Sequence, residues 1–284
     1  MKSFTFSILV YNHEDWILEH LESIKYLILQ YKPPLVDLII SDDKSIDGSR
    51  DLMDRWLASN SNLFRNIIKI YNEVNIGTVA CTKNLVVNCK TDILKITAGD
   101  DVYSFENIFF YSDFFENFSI VSGLPYYLKG NSLINDKFSN ILHIASSLIY
   151  RGSNRFKMLH ATNAPNIIYN LGQLRGVIDN PLFTKVKIVE DLLIQVLLSN
   201  KQFSFKQIYI PLVYYRRTLG SAYLIKGSQF DFDQRAIIEF QISKSSWPKR
   251  LLLHNKYFCF GIKNKAIKYL ISIPFYFFLL KSLL

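Results

Sequence analysis

Four apolar runs of strand length open this chain, and each is separated from the next by a spacer long enough for a helix. The runs are residues 4–11, 35–41 and 67–71, then a stretch ending at Ile96. Between the first two, Trp16, Ile17, His20, Leu21, Ile24, Leu27 and Ile28 recur at the 3.6-residue period of an amphipathic helix. Asp15 stands where a cap is needed, and Pro33-Pro34 ends the pattern. Further helices are expected from about Ser49 to Ala58 and from about Thr78 to Asn88. Strands alternating with helical spacers predict a parallel sheet wound by helices on both faces.

The fourth run stops abruptly in two carboxylates, Asp100 and Asp101, after Ala98-Gly99. Its apolar part reads as a strand covered on both faces, and Gly99 lets the backbone turn sharply. The pair therefore lies past the carboxyl end of a strand, where open α/β sheets bind ligands. Adjacent like charges repel, and a divalent cation completed by a diphosphate would offset that repulsion. A plain acidic turn would look the same, so the rest of the chain must decide.

Beyond Asp101 the alternation lapses. Phe105–Phe118 is aromatic and helical in pattern, Ile120–Tyr127 reads as a strand, and residues 128–165 give no clear pattern. Ile167–Leu171 reads as a short strand and Gly172–Asn180 as a loop. Ile188–Leu198 reads as a helix opening near Glu190-Asp191, and Ile208–Arg216 as a strand with Pro211 at an edge. His13, His20, His143, His160 and His254 do not cluster, and His20, on the helical stripe, reads as core rather than ligand. Three cysteines, Cys81, Cys89 and Cys259, lack metal-ligand spacing and are expected as reduced thiols in a cytosolic protein.

Net charge is +9, but residues 201–284 carry 14 Lys and Arg against Asp231, Asp233 and Glu239, leaving −2 on residues 1–200. Residues 240–284 hold eight Lys and Arg and no acid. Their uncharged run Tyr269–Leu280 is 12 residues long, short of the roughly 20 that a membrane-spanning helix needs. An aromatic and basic segment of this kind suits an interfacial anchor on anionic lipid, the alternative being a C-terminal helix packed on the domain. No nucleic-acid-binding motif is present, and the apolar tail fits lipid better than a phosphate backbone.

Three acidic pairs stand at the ends of candidate elements: Asp42-Asp43, Asp100-Asp101 and Glu190-Asp191. Each alone could be a cap or a turn. Their order and surroundings are more specific. Ser7–Asn12, Leu38–Ser49, Asn75-Ile76-Gly77 with Lys83-Asn84, Ala98–Asp101, Glu190-Asp191-Leu192 and Tyr214–Ser221 together resemble the family 2 glycosyltransferases over residues 3–221. The resemblance implies an α/β, Rossmann-like GT-A fold with a mostly parallel sheet. It also implies a divalent metal, Mg2+ or Mn2+, and inverting transfer from a nucleotide-sugar donor.

Carried over by position, Tyr11 and Asp42 would contact the nucleobase with Asp43 nearby, and Lys83 would face the nucleotide. Asp100 would approach the ribose and share the metal with Asp101. Asp191, or else Glu190, would be the general base. Arg216 and Arg217 are either a solvated pair or a phosphate or acceptor contact, since the guanidinium fork matches such groups. Asn163–Asn166 is either acceptor wall or a plain turn. Two departures stand out: Ala98 occupies the place of a third acid, and Tyr11 follows Val10 where Thr or Ser is usual.

The expected organisation is a GT-A domain over residues 1–225, with a donor half (1–103) and an acceptor half (104–225). Residues 226–284 would form a basic, apolar, helical, membrane-associating segment. The expected function is transfer of a sugar, from a UDP-sugar, to a glycan or lipid-linked oligosaccharide in bacterial surface-polysaccharide synthesis. The site of action would be the inner face of the plasma membrane. Two rivals remain. A nucleotidyltransferase would carry a Gly-rich phosphate loop where Asn12-His13-Glu14-Asp15 stands. An inactive GT-A-like scaffold would fit the missing acid at position 98.

Overall fold

The computed structural model describes residues 2–137, 139–141, 143–144, 163–199, 204–216, 228–260, 262, 264, 267 and 270–272. The opening alternation is β1 (Phe4–Val10), α1 (Ile17–Tyr31), β2 (Val36–Asp42), α2 (Ser49–Asn60), β3 (Asn66–Tyr71), α3 (Thr78–Asn88) and β4 (Ile93–Ala98). Short strands follow: β5 (Val102–Tyr103), β6 (Ile120–Ser122), β7 (Tyr126–Lys129), β8 (Ser132–Ile134), β9 (Ile167–Asn170), β10 (Phe205–Gln207) and β11 (Val213–Arg216). The later helices are α4 (Leu171–Arg175), α5 (Leu182–Lys185), α6 (Glu190–Ser199), α7 (Ser228–Ser243) and α8 (Trp247–Phe260).

The main sheet has seven strands in the order β3-β2-β1-β4-β9-β6-β10, and within it only β9 runs antiparallel to its neighbours. The strands β1, β2 and β4 therefore end on one edge. The mostly parallel α/β expectation holds. Strand residues alternate between two cores, one on each face of the sheet. Phe6, Ile8, Leu38 and Ile40 pack with α1 and α2, whereas Leu9, Ile39, Leu94 and Ile96 pack with α3 and α6. The α1 stripe buries Ile17, His20, Leu21, Ile24, Leu27 and Ile28 as its periodicity requires. The helix ends at Lys32, in the left-handed conformation, just before the two prolines that cannot continue it. Asp15 does not cap it: the capping position falls on Trp16 and has no side-chain bond.

A second sheet, β5-β11-β7-β8, lies beside the carboxyl edge of the first. It explains where the strand expectations differ from the structure. The run 120–127 divides between the two sheets at Gly123-Leu124-Pro125. A Cβ on Gly123 would lie 2.7 Å from the Ile210 carbonyl, so the two backbones approach too closely for a side chain. In the run 208–216 only Val213–Arg216 is strand, since Pro211 has no N–H to pair. The aromatic run 105–118 holds a 3₁₀ helix, Ile108–Glu116, and the expected loop after Leu171 begins with α4.

Asn166 joins the two sheets. Fully buried, its Oδ1 accepts from the N–H groups of Leu212 (2.7 Å) and Val213 (3.0 Å), and its Nδ2 donates to the Val213 carbonyl (3.0 Å). The Asn163–Asn166 segment is thus at least a structural joint. Past residue 226, where a separate segment was expected, α7 still packs on the body: Ala236 and Ile237 are buried in the core that contains Leu193 and Leu197 of α6. The three cysteines are buried free thiols. Replacing Asn166 with Ala leaves two buried N–H groups unpaired, and the expected loss of stability is about 3 kcal/mol in chemical denaturation. A loss under about 0.5 kcal/mol, the level of an ordinary surface change, would contradict the joint.

Candidate active site

The loops after β1 and β2 are fastened side to side. Asn12, at φ 55°, donates its N–H to Ser45 Oγ (2.9 Å) and accepts the Ile46 N–H at Oδ1 (2.9 Å). Glu14 accepts the Gly48 N–H, and Asp47 accepts the Glu14 N–H. Tyr11 stands half exposed beside this seam. Asp42, at the end of β2, is fully buried. Its Oδ1 takes the Ser45 N–H (3.0 Å) and an ion pair from Arg50, whose guanidinium also covers the Tyr71 ring. Asp42 Oδ2 is buried with no hydrogen-bond partner among the described residues. Its neighbour Asp43 is turned the other way. Asp43 Oδ1 takes the Ile76 N–H (2.7 Å) and Asn72 Nδ2 (3.1 Å), and Oδ2 takes the Gly77 N–H (2.8 Å).

The turn after β4 is held by Arg216. The Arg216 N–H donates to Asp101 Oδ1 (3.1 Å), its Nε donates to the Asp100 carbonyl (2.8 Å), and its guanidinium pairs with Glu19 over the Trp16 ring. Arg216 is thus buried in this clamp rather than presented to solvent. Arg217 lies outside the described residues. Gly99 does not adopt a left-handed backbone. It is needed for space, since a Cβ would meet Ile17 at 2.8 Å and His13 Nδ1 at 2.9 Å.

Asp101 is buried, and its carbonyl lies 2.8 Å from His20 Nδ1. A carbonyl can only accept, so Nδ1 carries the proton and Nε2 faces the Thr97 hydroxyl at 3.3 Å. Burial lowers His20 to about 4, which leaves it neutral, in keeping with the core reading. Burial and the Asp100 charge push Asp101 well above the usual carboxylate range. Beneath it the fully buried Lys95 is lowered to about 7 by burial, an effect the Asp101 charge opposes, and it donates to the Pro165 carbonyl.

Glu190 and Asp191 open α6. Burial, then the Asp191 charge, raise Glu190 to about 8, against the opposing effect of its own N–H and the Thr78 hydroxyl. Burial also raises Asp191, whose Oδ1 accepts the Leu192 N–H (2.7 Å). Thr78 begins α3 immediately after Gly77, the residue bound by Asp43. The first and third acidic pairs are therefore linked through a single turn. Lys83, one turn into α3, pairs with the exposed Asp179 at 3.7 Å.

The sequence profile described as Glycosyl transferase family 2 matches residues 5–166. The chain belongs to the family 2 glycosyltransferases. Its fold agrees with solved GT-A structures. The Staphylococcus aureus TarS 1–349 structure in complex with UDP-GlcNAc superposes with a TM-score of 0.63 at 14% identity, covering 96% of this chain and 71% of that one. The mannosyltransferase PcManGT from Pyrobaculum calidifontis, in complex with GDP-Man and Mn2+, gives 0.63 at 13%, covering 99% and 75%. No curated protein sequence matches the chain.

In this glycosyltransferase the site holds residues that sequence reasoning passed over. His13 sits between the acidic loops, with Nε2 3.9 Å from Asp100 Oδ1 and a buried Nδ1 that has no hydrogen-bond partner among the described residues. Burial lowers its pKa against the opposing charges of Asp100, Asp47 and Asp42. Arg50 neutralises Asp42, and Lys95 sits under Asp101. His13 had one readable signal, its place three residues past the end of β1. Among the described residues no three His, Cys, Asp or Glu side chains form a metal cage. Asp100 offers a hard carboxylate oxygen and His13 a borderline imidazole nitrogen, and the repulsion between Asp100 and Asp101 favours a cation. The site therefore fits a divalent ion whose remaining ligands come from elsewhere.

Glu190 gives a pH test. Its folded pKa lies above its unfolded value of about 4.5, so the folded state keeps a proton that the unfolded state releases between about pH 4.5 and 8. Stability contributed by the neutral form is present at low pH and is lost as pH rises through that window. Glu190→Gln keeps a neutral hydrogen-bonding group. Its melting temperature is expected to match the parent near pH 4.5 and to exceed it increasingly toward pH 8. Parallel curves for the two proteins would rule out the raised pKa.

Proposed function

We propose that this enzyme transfers a sugar, with inversion, from a UDP-sugar to a hydroxyl of a glycan acceptor, a lipid-linked one in bacterial surface-polysaccharide synthesis. The observation that supports this most is the placement of Glu190-Asp191 beside Thr78, next to the turn that Asp43 holds. A candidate base and a candidate donor loop thereby share one wall.

Asp42 Oδ2, buried and lacking a partner among the described residues, suits an imide N–H such as that of uracil, with Tyr11 beside it. Lys83 adds positive charge near the nucleotide. Asp100 and His13 would hold the divalent ion, with Asp101 behind them; the ion would supply charge stabilisation to the departing diphosphate. In this reading Asp101 acts chiefly by fixing the turn through Arg216, and Asp100 is the carboxylate turned toward the metal. Asp191 takes the acceptor proton as the new C–O bond forms on the face opposite the leaving group, and this single displacement inverts the anomeric carbon.

UDP-, GDP- and dTDP-sugars, with and without Mg2+ or Mn2+, test the donor and the metal together by thermal shift and turnover. The UDP-sugar plus metal is expected to stabilise the parent most. Asp191→Asn should keep that stabilisation and lose turnover by about 100-fold or more, the scale of general-base catalysis. Turnover at the parent rate would move the base to Glu190. A parent that binds donor yet transfers nothing would favour the scaffold reading.

The C-terminus supports a peripheral place on the membrane. On α8, Trp247, Leu251 and Phe258 are 72%, 52% and 67% exposed, and their spacing puts them on one face. No helix among the described residues is long and apolar enough to cross a membrane. Most of the run Tyr269–Leu280 lies outside the described residues. Changing Trp247, Leu251 and Phe258 together to Ser should cut binding to anionic phospholipid vesicles by about tenfold or more. Unchanged binding would remove α8 from the anchor.

A further inference from the structure

We infer that Asp233, in α7, is a positioning residue for the catalytic base. The inference rests on the reading of Asp191 as that base. Asp233 is fully buried. Its Oδ2 accepts two consecutive backbone N–H groups, those of Lys187 (2.9 Å) and Ile188 (2.7 Å). Its Oδ1 accepts from Gln229 Nε2, one helical turn earlier (2.7 Å). Lys187 and Ile188 lie in the link between α5 and α6, immediately before Val189 and the Glu190-Asp191 pair.

The same dipeptide is gripped from its other side. The Lys187 carbonyl accepts the Val79 N–H (3.0 Å), and the Ile188 carbonyl accepts the Thr78 hydroxyl (2.6 Å). A Cβ on Gly77, which has φ 87°, would lie 2.6 Å from the Lys187 carbonyl, so α3 and this link touch backbone to backbone. With its N–H groups on Asp233 and its carbonyls on α3, the dipeptide has little freedom to shift. It sets the height at which α6 begins, and hence where Asp191 points.

A carboxylate receiving N–H groups makes stronger bonds than a neutral acceptor does. Loss of Asp233 would leave two N–H groups unpaired under a helix, and the link would relax to find other partners. The cost should fall on the chemical step, because a base displaced by about 1 Å loses on the order of 100-fold in rate. Donor binding, which depends on Tyr11 and Asp42 rather than on the link, should change little.

Asp233→Ala, Asp233→Asn and Ile237→Ala test this. Ile237 is buried one turn further along α7 and makes no bond to the link, so it reports general destabilisation of the helix. Asp233→Ala is expected to lower kcat by about 10- to 100-fold with donor KM nearly unchanged. Asp233→Asn, which keeps one acceptor oxygen, should recover part of that loss. Ile237→Ala should retain kcat at a comparable fall in melting temperature. Amide hydrogen exchange at residues 187 and 188 should quicken in Asp233→Ala and not in Ile237→Ala. Equal kcat in the two Ala variants, or equal exchange at the two amides, would overturn the inference. If the parent transfers no sugar, the base assignment fails, and the exchange comparison alone shows whether Asp233 pins the link.

Discussion

Every loop at the carboxyl edge of a parallel sheet leaves backbone N–H groups with no strand to pair with, and buried N–H groups must be paired. In this enzyme buried carboxylates meet that need. Asp43 takes the N–H groups of Ile76 and Gly77, Asp101 takes that of Arg216, and Asp233 takes those of Lys187 and Ile188. None of the three needs to touch substrate to matter. Each fixes a loop next to a residue of the candidate site, and the geometry of the site follows from these bonds more than from the strands beneath.

The same constraint divides the labour within the acidic pairs. Adjacent residues in a turn point in different directions, so two neighbouring carboxylates seldom share a task. Asp43 holds the Asn72–Gly77 turn, while Asp42 keeps one buried oxygen without a partner among the described residues. Asp101 ties the β4 turn to β11, while Asp100 lies near His13. The basic side chains follow suit. Arg216 reads in sequence as a phosphate contact, but its guanidinium is consumed by Glu19, Trp16 and the Asp100 carbonyl.

Much of the fold could be read from pattern. The first four strands and three helices lie where apolar period, prolines and turn residues put them, because local and tertiary preferences agree there. The second half was less legible. Strands β6, β7 and β11 are three or four residues long, too short for alternation to declare itself, and a close backbone approach at Gly123 sets where one sheet yields to the other. Of the site, the acidic pairs were visible as chemistry at strand and helix ends. Their division was not, since direction in a turn depends on dihedrals that composition does not encode. Lys95 passed as one residue of an apolar strand, and only its burial reveals it as a charge beneath Asp101. Asp233 lies more than 40 residues from the loop it holds, and no local pattern could have joined them.

The bonding of the third pair also bears on whether the fold is used for chemistry. Asp43 is a buried carboxylate with three donors to match, two of them backbone N–H groups, the arrangement that makes a buried charge tolerable. Glu190 and Asp191 are bonded more locally, with N–H groups at the start of α6 among their donors. The Asp191 side chain takes the N–H of its own neighbour, and Glu190 has the Thr78 hydroxyl, which also serves the Ile188 carbonyl. Both carboxyls are held above their ordinary pKa by burial. Two crowded acids held above their ordinary pKa cost stability at neutral pH, and a domain kept only for scaffolding would gain by replacing either with a neutral residue. A carboxylate with a raised pKa is what proton removal from a hydroxyl requires. The cost falls where catalysis would use it, and that weighs toward an enzyme despite the alanine at position 98.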